Sequence, residues 1–157
     1  MSTAPATGTA PDLQVRHAPL GSVDPLVLYR VLRLRVDVFV VEQECPYPEL
    51  DGRDAEPGAE LLWVQAADGA VAATARLLRD ADGCARIGRV ATAREFRGAG
   101  HAARLMELGI ELAGDVETVL DAQAHLAGWY ARFGFAVDGE PFTEDGIPHV
   151  PMRRRPA

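Results

Sequence analysis

The chain has 157 residues, 48% of them hydrophobic, which suits one compact domain with a sizeable core. Its formal net charge of −7, without a basic stripe, argues against general nucleic-acid binding, because nothing is there to displace phosphate counterions. No apolar stretch reaches the ~18–20 residues that span a bilayer, so no membrane segment is expected.

All 16 basic residues are Arg, so no lysine on this chain can be acetylated. Residues 1–11 are small, polar and Pro-bearing, with neither a basic start nor an apolar core. They read as a disordered lead to a single domain over 12–157, and a cytoplasmic location is expected. Cys45 and Cys84 lie 39 residues apart without a His or Cys at metal-ligand spacing. Two reduced thiols are expected, and no metal site.

Leu13–His17 alternates as a short first strand. Asp24 followed by Pro25 is an N-cap with Pro at the first helical position, which predicts a helix to about Val41. Leu28, Val31/Leu32, Arg35/Val36 and Phe39 form its buried stripe. Cys45–Gly58, rich in Pro, Gly and acids, reads as a long loop. Strands at Leu61–Ala66 and Val71–Leu78 flank Asp68-Gly69, and Asp82-Gly83 closes a second hairpin into Ala85–Ala93.

A helix then carries Ala102, Leu105, Met106, Gly109, Leu112 and Ala113 inward, with Gly114 as its stop. Val116–Ala122 is a strand and Leu126–Arg132 a short helix. Phe135–Asp138 and Val150–Arg153 are closing strands.

The stretch with most chemical content is Arg97-Gly98-Ala99-Gly100-His101-Ala102, between a strand and an amphipathic helix. That arrangement aims backbone N–H groups and the positive end of a helix dipole at one anion. Glycines there let a phosphate approach the main chain. Gly98-x-Gly100-x-x-Ala103, with Asp121 downstream, also fits the loose dinucleotide fingerprint. Its context is wrong: it falls past mid-chain, and only 36 residues follow Asp121.

Arg97-x-x-Gly100-x-Ala102 with its upstream strand, followed by Val119–Ala124 and Tyr130-x-x-x-Gly134-Phe135, resembles two motifs of the GNAT acetyltransferase superfamily in their usual order. Leu28–Tyr47, Asp51–Asp54 and Glu144–His149 extend the resemblance to the ElaA-like branch, over residues 13–154. Arg94 stands where such sequences usually carry Pro, and Gln123 where many have Asn.

The resemblance implies an α/β fold: a mixed, mostly antiparallel twisted sheet of six to seven strands flanked by about four helices. It implies acetyl-CoA as donor, with the N–H groups of Arg97, Gly98, Ala99, Gly100, His101 and Ala102 on its pyrophosphate. The His101 side chain is expected to point outward. Val90, Ala91 and Thr92 would line the pantetheine arm and offer an N–H to the thioester oxygen, their strand splaying from Val116–Ala122. Gln123 would reach the pantetheine amides.

Tyr130 is the candidate acid for the departing thiolate, because a phenol stays protonated at neutral pH. Glu42 and His149 are candidate bases for the amine. The acidic run Glu42, Glu44, Glu49, Asp51, Asp54, Glu56 could attract a cationic acceptor, or pair with Arg33 and Arg35. The implied partner is a small amine or peptide amine, and some members of the superfamily form a homodimer. A non-catalytic acyl-CoA-binding module is the rival reading.

Overall fold

The computed structural model of the protein describes residues 12–157. The expected N-terminal lead lies outside the described residues. Eight strands form one sheet: β1 Gln14–Ala18, β2 Glu60–Gln65, β3 Val71–Arg79, β4 Ala85–Thr92, β5 Thr118–Gln123, β6 Ala136–Val137, β7 Phe142–Glu144 and β8 Ile147–Arg154. The order is β1-β2-β3-β4-β5-β8-β6, with β7 also on β8. Every pairing is antiparallel except β4 with β5.

Helix α1 (Pro25–Val36) starts as the sequence dictates. The Asp24 carboxylate accepts from the N–H groups of Leu26 and Val27 at 3.0 and 3.3 Å. The expected α-helix to Val41 is not what forms: Asp37–Glu42 is a π-helical turn. Its wider winding turns Phe39, Glu42 and Gln43 toward the end of β4, where they line a cleft. Helix α2 (His101–Ala113) crosses between β4 and β5, and α3 (Ala127–Ala131) is a single short piece. Among the described residues, then, three α-helices flank the sheet rather than four, and no helix is long and apolar enough to cross a membrane.

Two layers of core cover the sheet. On one face Leu62, Leu77, Ile87 and Leu120 of the sheet pack with Leu105 and Met106 of α2; on the other Leu61 and Trp63 pack with Val31 and Leu34 of α1.

Strand β7 was not expected, although its signal is in the sequence. Glu144 pairs with Ile147 across a two-residue loop whose members, Asp145 and Gly146, have φ of 50° and 77°. Asp-Gly is the dipeptide that a tight hairpin with two left-handed residues selects.

Candidate active site

The cleft follows from how β4 leaves β5. The two strands pair only at Ala85↔Thr118 and Arg86↔Val119, so β4 splays away from Ile87 onward, as expected. On its other side β4 carries a bulge: Thr74 opposes Ala91 and Arg76 opposes Gly88, leaving Arg89 and Val90 together against Ala75. Arg89 takes φ 52°, in the left-handed region that costs a side-chain-bearing residue about 1–2 kcal/mol. The resulting cleft holds about 1250 Å³ and runs between the loop after α1, the splayed end of β4, and the face of β5, α3 and β8. Val90, Ala91, Thr92, Arg97, Ala102, Gln123 and Tyr130 all line it, with Glu42 and His149.

At one end lies the glycine loop. Gly98 and Gly100 have φ of 84° and 79°, and a Cβ at either would meet nothing within 4 Å, so the space above the main chain is open. The N–H of Arg97 is taken by the Arg94 carbonyl at 3.4 Å, which removes it from the expected set of donors. Among the described residues no backbone carbonyl accepts from Gly98, Ala99 or Gly100, and no side chain caps α2. The helix start leaves the N–H groups of His101, Ala102 and Ala103 without intrahelical partners as well. This row of donors fits a diphosphate.

The His101 side chain corrects an expectation. It does not point outward but is 7% exposed, edge-on to Phe96 at 6.2 Å, with Nδ1 unpartnered. Burial, and then the charge of Arg104, lower its pKa, so it stays neutral at pH 7.

Glu42 is committed elsewhere. Its carboxylate accepts from both Arg97 terminal nitrogens at 2.8 and 2.7 Å and from Arg94 at 3.0 Å. Those hydrogen bonds, Arg97 first, hold its pKa down to about 2. A carboxylate so stabilised has little tendency to take a proton from an amine, which argues against the expected role as base.

His149 is differently placed. Its Nδ1 lies 2.7 Å from the Ile147 carbonyl, and its ring stacks on Phe142 at 5.5 Å. A carbonyl only accepts, so in the neutral ring Nδ1 carries the proton and Nε2 the lone pair. Across β5 it registers with Gln123, whose amide donates to Gln43 at 3.4 Å.

Tyr130 has its ring against Trp129 at 4.9 Å, and burial pushes its hydroxyl up to about 12, so the phenol stays protonated. Cys45, among the described residues the cleft's one thiol, is buried with Sγ 3.4 and 3.5 Å from the carbonyls of Gln43 and Asp145. That contact joins the loop after α1 to the β7–β8 turn across the cleft.

Five acids of the run, Glu42, Glu49, Asp51, Asp54 and Glu56, are paired with arginines, and the exposed Glu44 is left without an ion pair among the described residues. Arg35, 1% exposed, donates to Glu49 at 2.8 Å and to both oxygens of Asp54 at 2.6 and 3.2 Å. Burial opposes the charge on Arg35, but its hydrogen bonds to Asp54 and Glu49 outweigh that and raise its pKa. Arg76 grips Asp51 with two bonds of 2.8 Å, and its hydrogen bonds hold that carboxyl well below the usual range. Glu56 pairs with Arg53. Of the two arginines expected to pair with these acids, Arg35 does so, while Arg33 lies against Asp37 at 3.8 Å. Arg76 and Arg89 carry no local signal of this role, because their partners lie 22 to 40 residues away.

The family described as Acetyltransferase (GNAT) domain matches residues 36–156 of this chain. Protein ElaA of Escherichia coli is 40% identical over 133 residues, 81% of this chain and 86% of ElaA. A UPF0039 protein of Mycobacterium tuberculosis is 49% identical over 135 residues, 84% of this chain and 86% of that protein. Among solved structures, an acyl-CoA N-acyltransferase from Pseudomonas aeruginosa superposes with a TM-score of 0.84 at 40% identity, over 90% of this chain and 99% of that one. With its splayed strands, open glycine loop and this likeness, the chain belongs to the GNAT N-acetyltransferase family, on its ElaA-like branch.

Proposed function

We propose that the protein moves the acetyl group of acetyl-CoA directly to a primary amine of a small molecule or peptide, with no covalent enzyme intermediate. The observation that carries this reading is the run of unpaired N–H groups from Gly98 to Ala103 at the mouth of the gap between β4 and β5. The diphosphate sits on those amides, and the splayed edge at Val90, Ala91 and Thr92 receives the pantetheine arm and its thioester. Holding donor and acceptor together in this way turns a bimolecular encounter into a near-unimolecular step.

His149 Nε2 takes the proton from the acceptor's ammonium, the free amine attacks the thioester carbon, and the C–S bond breaks. The electron pair leaves on sulfur, which takes the Tyr130 hydroxyl proton, and the second N–H proton, lost as the amide forms, returns to the Tyr130 oxygen. Cys45 supports direct transfer rather than a covalent relay: its thiol faces two backbone carbonyls and no base. Gln123 and Gln43, linked to each other, offer amides along the arm.

The test is thiol release from acetyl-CoA with a polyamine, an aminoglycoside and a short peptide as acceptors. Turnover above background on one of them supports the enzyme. Tight acetyl-CoA binding with no turnover on any would instead favour the non-catalytic binding module. His149→Gln should lower the rate while leaving acetyl-CoA affinity within about twofold.

A further inference from the structure

The bulge in β4 poses a question of residue choice. A bulge with its first residue in the left-handed region is ordinarily a place for Gly, yet Arg89 stands there at φ 52°, and a true glycine, Gly88, sits beside it without using positive φ. A residue that bears this backbone strain is held by its surroundings.

Arg89 is held at several points. Its Nε lies 2.9 Å from a Glu49 oxygen as an ion pair, without the alignment of a hydrogen bond, and one terminal nitrogen donates to the Glu49 carbonyl at 3.3 Å and to Asp51 at 3.4 Å. Its guanidinium carbon stands 5.4 Å from the centre of the Tyr47 ring. Glu49 is itself a buried hub, accepting from Tyr47 Oη at 2.6 Å and from Arg35 at 2.8 Å.

The side chain of Arg89 therefore bridges two segments that line the cleft. Its own backbone forms the bulge where β4 turns from β5, and its guanidinium fastens the segment Tyr47–Asp51, of which Tyr47, Pro48 and Asp51 line the cleft. None of Arg89's polar contacts touches residues 97–103.

We propose that Arg89 is a positioning residue for the acceptor: its guanidinium ties the acceptor-side wall to the strand bulge, fixing the distance between that wall and the thioester. This rests on the acetyl-transfer reading above. It also explains the choice of residue, since Gly would make the same bulge with less strain but would leave the wall untied.

Arg89→Gly separates the two roles, because it keeps the left-handed backbone and deletes only the guanidinium. Measured with whichever amine of the acceptor panel the wild type turns over fastest, kcat/KM for that amine should fall at least about tenfold. Acetyl-CoA affinity should stay within twofold, and the chain should stay folded, because Glu49 keeps its bonds to Arg35 and Tyr47. Hydrogen exchange should quicken at 44–51 and not at 98–113, and millimolar guanidinium ion should restore part of the rate. Arg89→Ala, which keeps the strain without the tie, should fare worse in stability than the Gly variant.

An Arg89→Gly enzyme with wild-type kcat/KM, or with unchanged exchange at 44–51, overturns the proposal and leaves acetyl transfer standing. A wild-type protein that fails to bind acetyl-CoA at all overturns the parent reading and this one with it.

Discussion

The two ends of the cleft are built from different materials. The end proposed for the donor is main chain: a glycine loop and a helix start whose amides need no partner from elsewhere in the sequence. The wall proposed for the acceptor is backed by a lattice of side chains, in which Arg35, Glu49, Asp54, Arg76, Asp51 and Arg89 come from α1, a long loop and two strands. The first is local and tolerates changes around it. The second is shared, so losing one member strands the charges of the others.

The sharpest way to break that comparison is to remove Arg35. Arg35→Leu leaves Glu49 and Asp54 buried near no cation of equal geometry, and should lower unfolding free energy by about 3–5 kcal/mol in urea titrations. A loss under about 1 kcal/mol would mean that the lattice is replaceable packing.

At the donor end, Gly100→Glu places a carboxylate and a Cβ in the open space above the amides. Acetyl-CoA affinity should fall at least ~100-fold, about 2.7 kcal/mol, with the far-ultraviolet spectrum retained. Retained micromolar affinity would move the diphosphate away from this loop.

Tyr130→Phe should reduce turnover by ~10- to 100-fold and leave acetyl-CoA affinity within twofold, because only the proton donor is lost. An unchanged rate removes Tyr130 from the chemistry.

The smallest effect is expected at Glu42. Its folded pKa of about 2 lies below the ordinary 4.5, so its pairs with Arg97 and Arg94 add stability that is fully present above about pH 4.5 and lost as pH falls toward 2. The stability gap between wild type and Glu42→Gln should therefore close over that interval; a constant gap would mean that Glu42 acts through packing.

The same contrast explains what could be read from the residues alone. The glycine loop, the Asp68-Gly69 and Asp82-Gly83 hairpins and the Asp24-Pro25 cap are local signals, and each appears where its residues stand. The splay of β4 followed from the family resemblance. Strand β7 was missed although Asp145-Gly146 marks its turn, because three residues leave too short a pattern to separate from loop.

The π-helical turn at Asp37–Glu42 has no residue signature, since the apolar spacing of Val36, Val38, Phe39 and Val40 suits an α-helix equally well. The inward His101 and the arginine lattice were illegible for other reasons. The lattice is settled by partners distant in the chain, where a charged residue in a loop looks solvent-facing until its counter-ion is found, whereas His101 is turned inward beside the nearby Phe96, which a phosphate-loop motif does not foretell.

In the proposed reaction the diphosphate of acetyl-CoA rests on the amides of residues 98–103 beside the gap between β4 and β5. The most direct test of that placement is a crystal structure of the protein with acetyl-CoA. Phosphate oxygens should lie within hydrogen-bond distance of those N–H groups, with the thioester beside Val90. Phosphate density elsewhere on the surface, with this loop left to solvent, would contradict it.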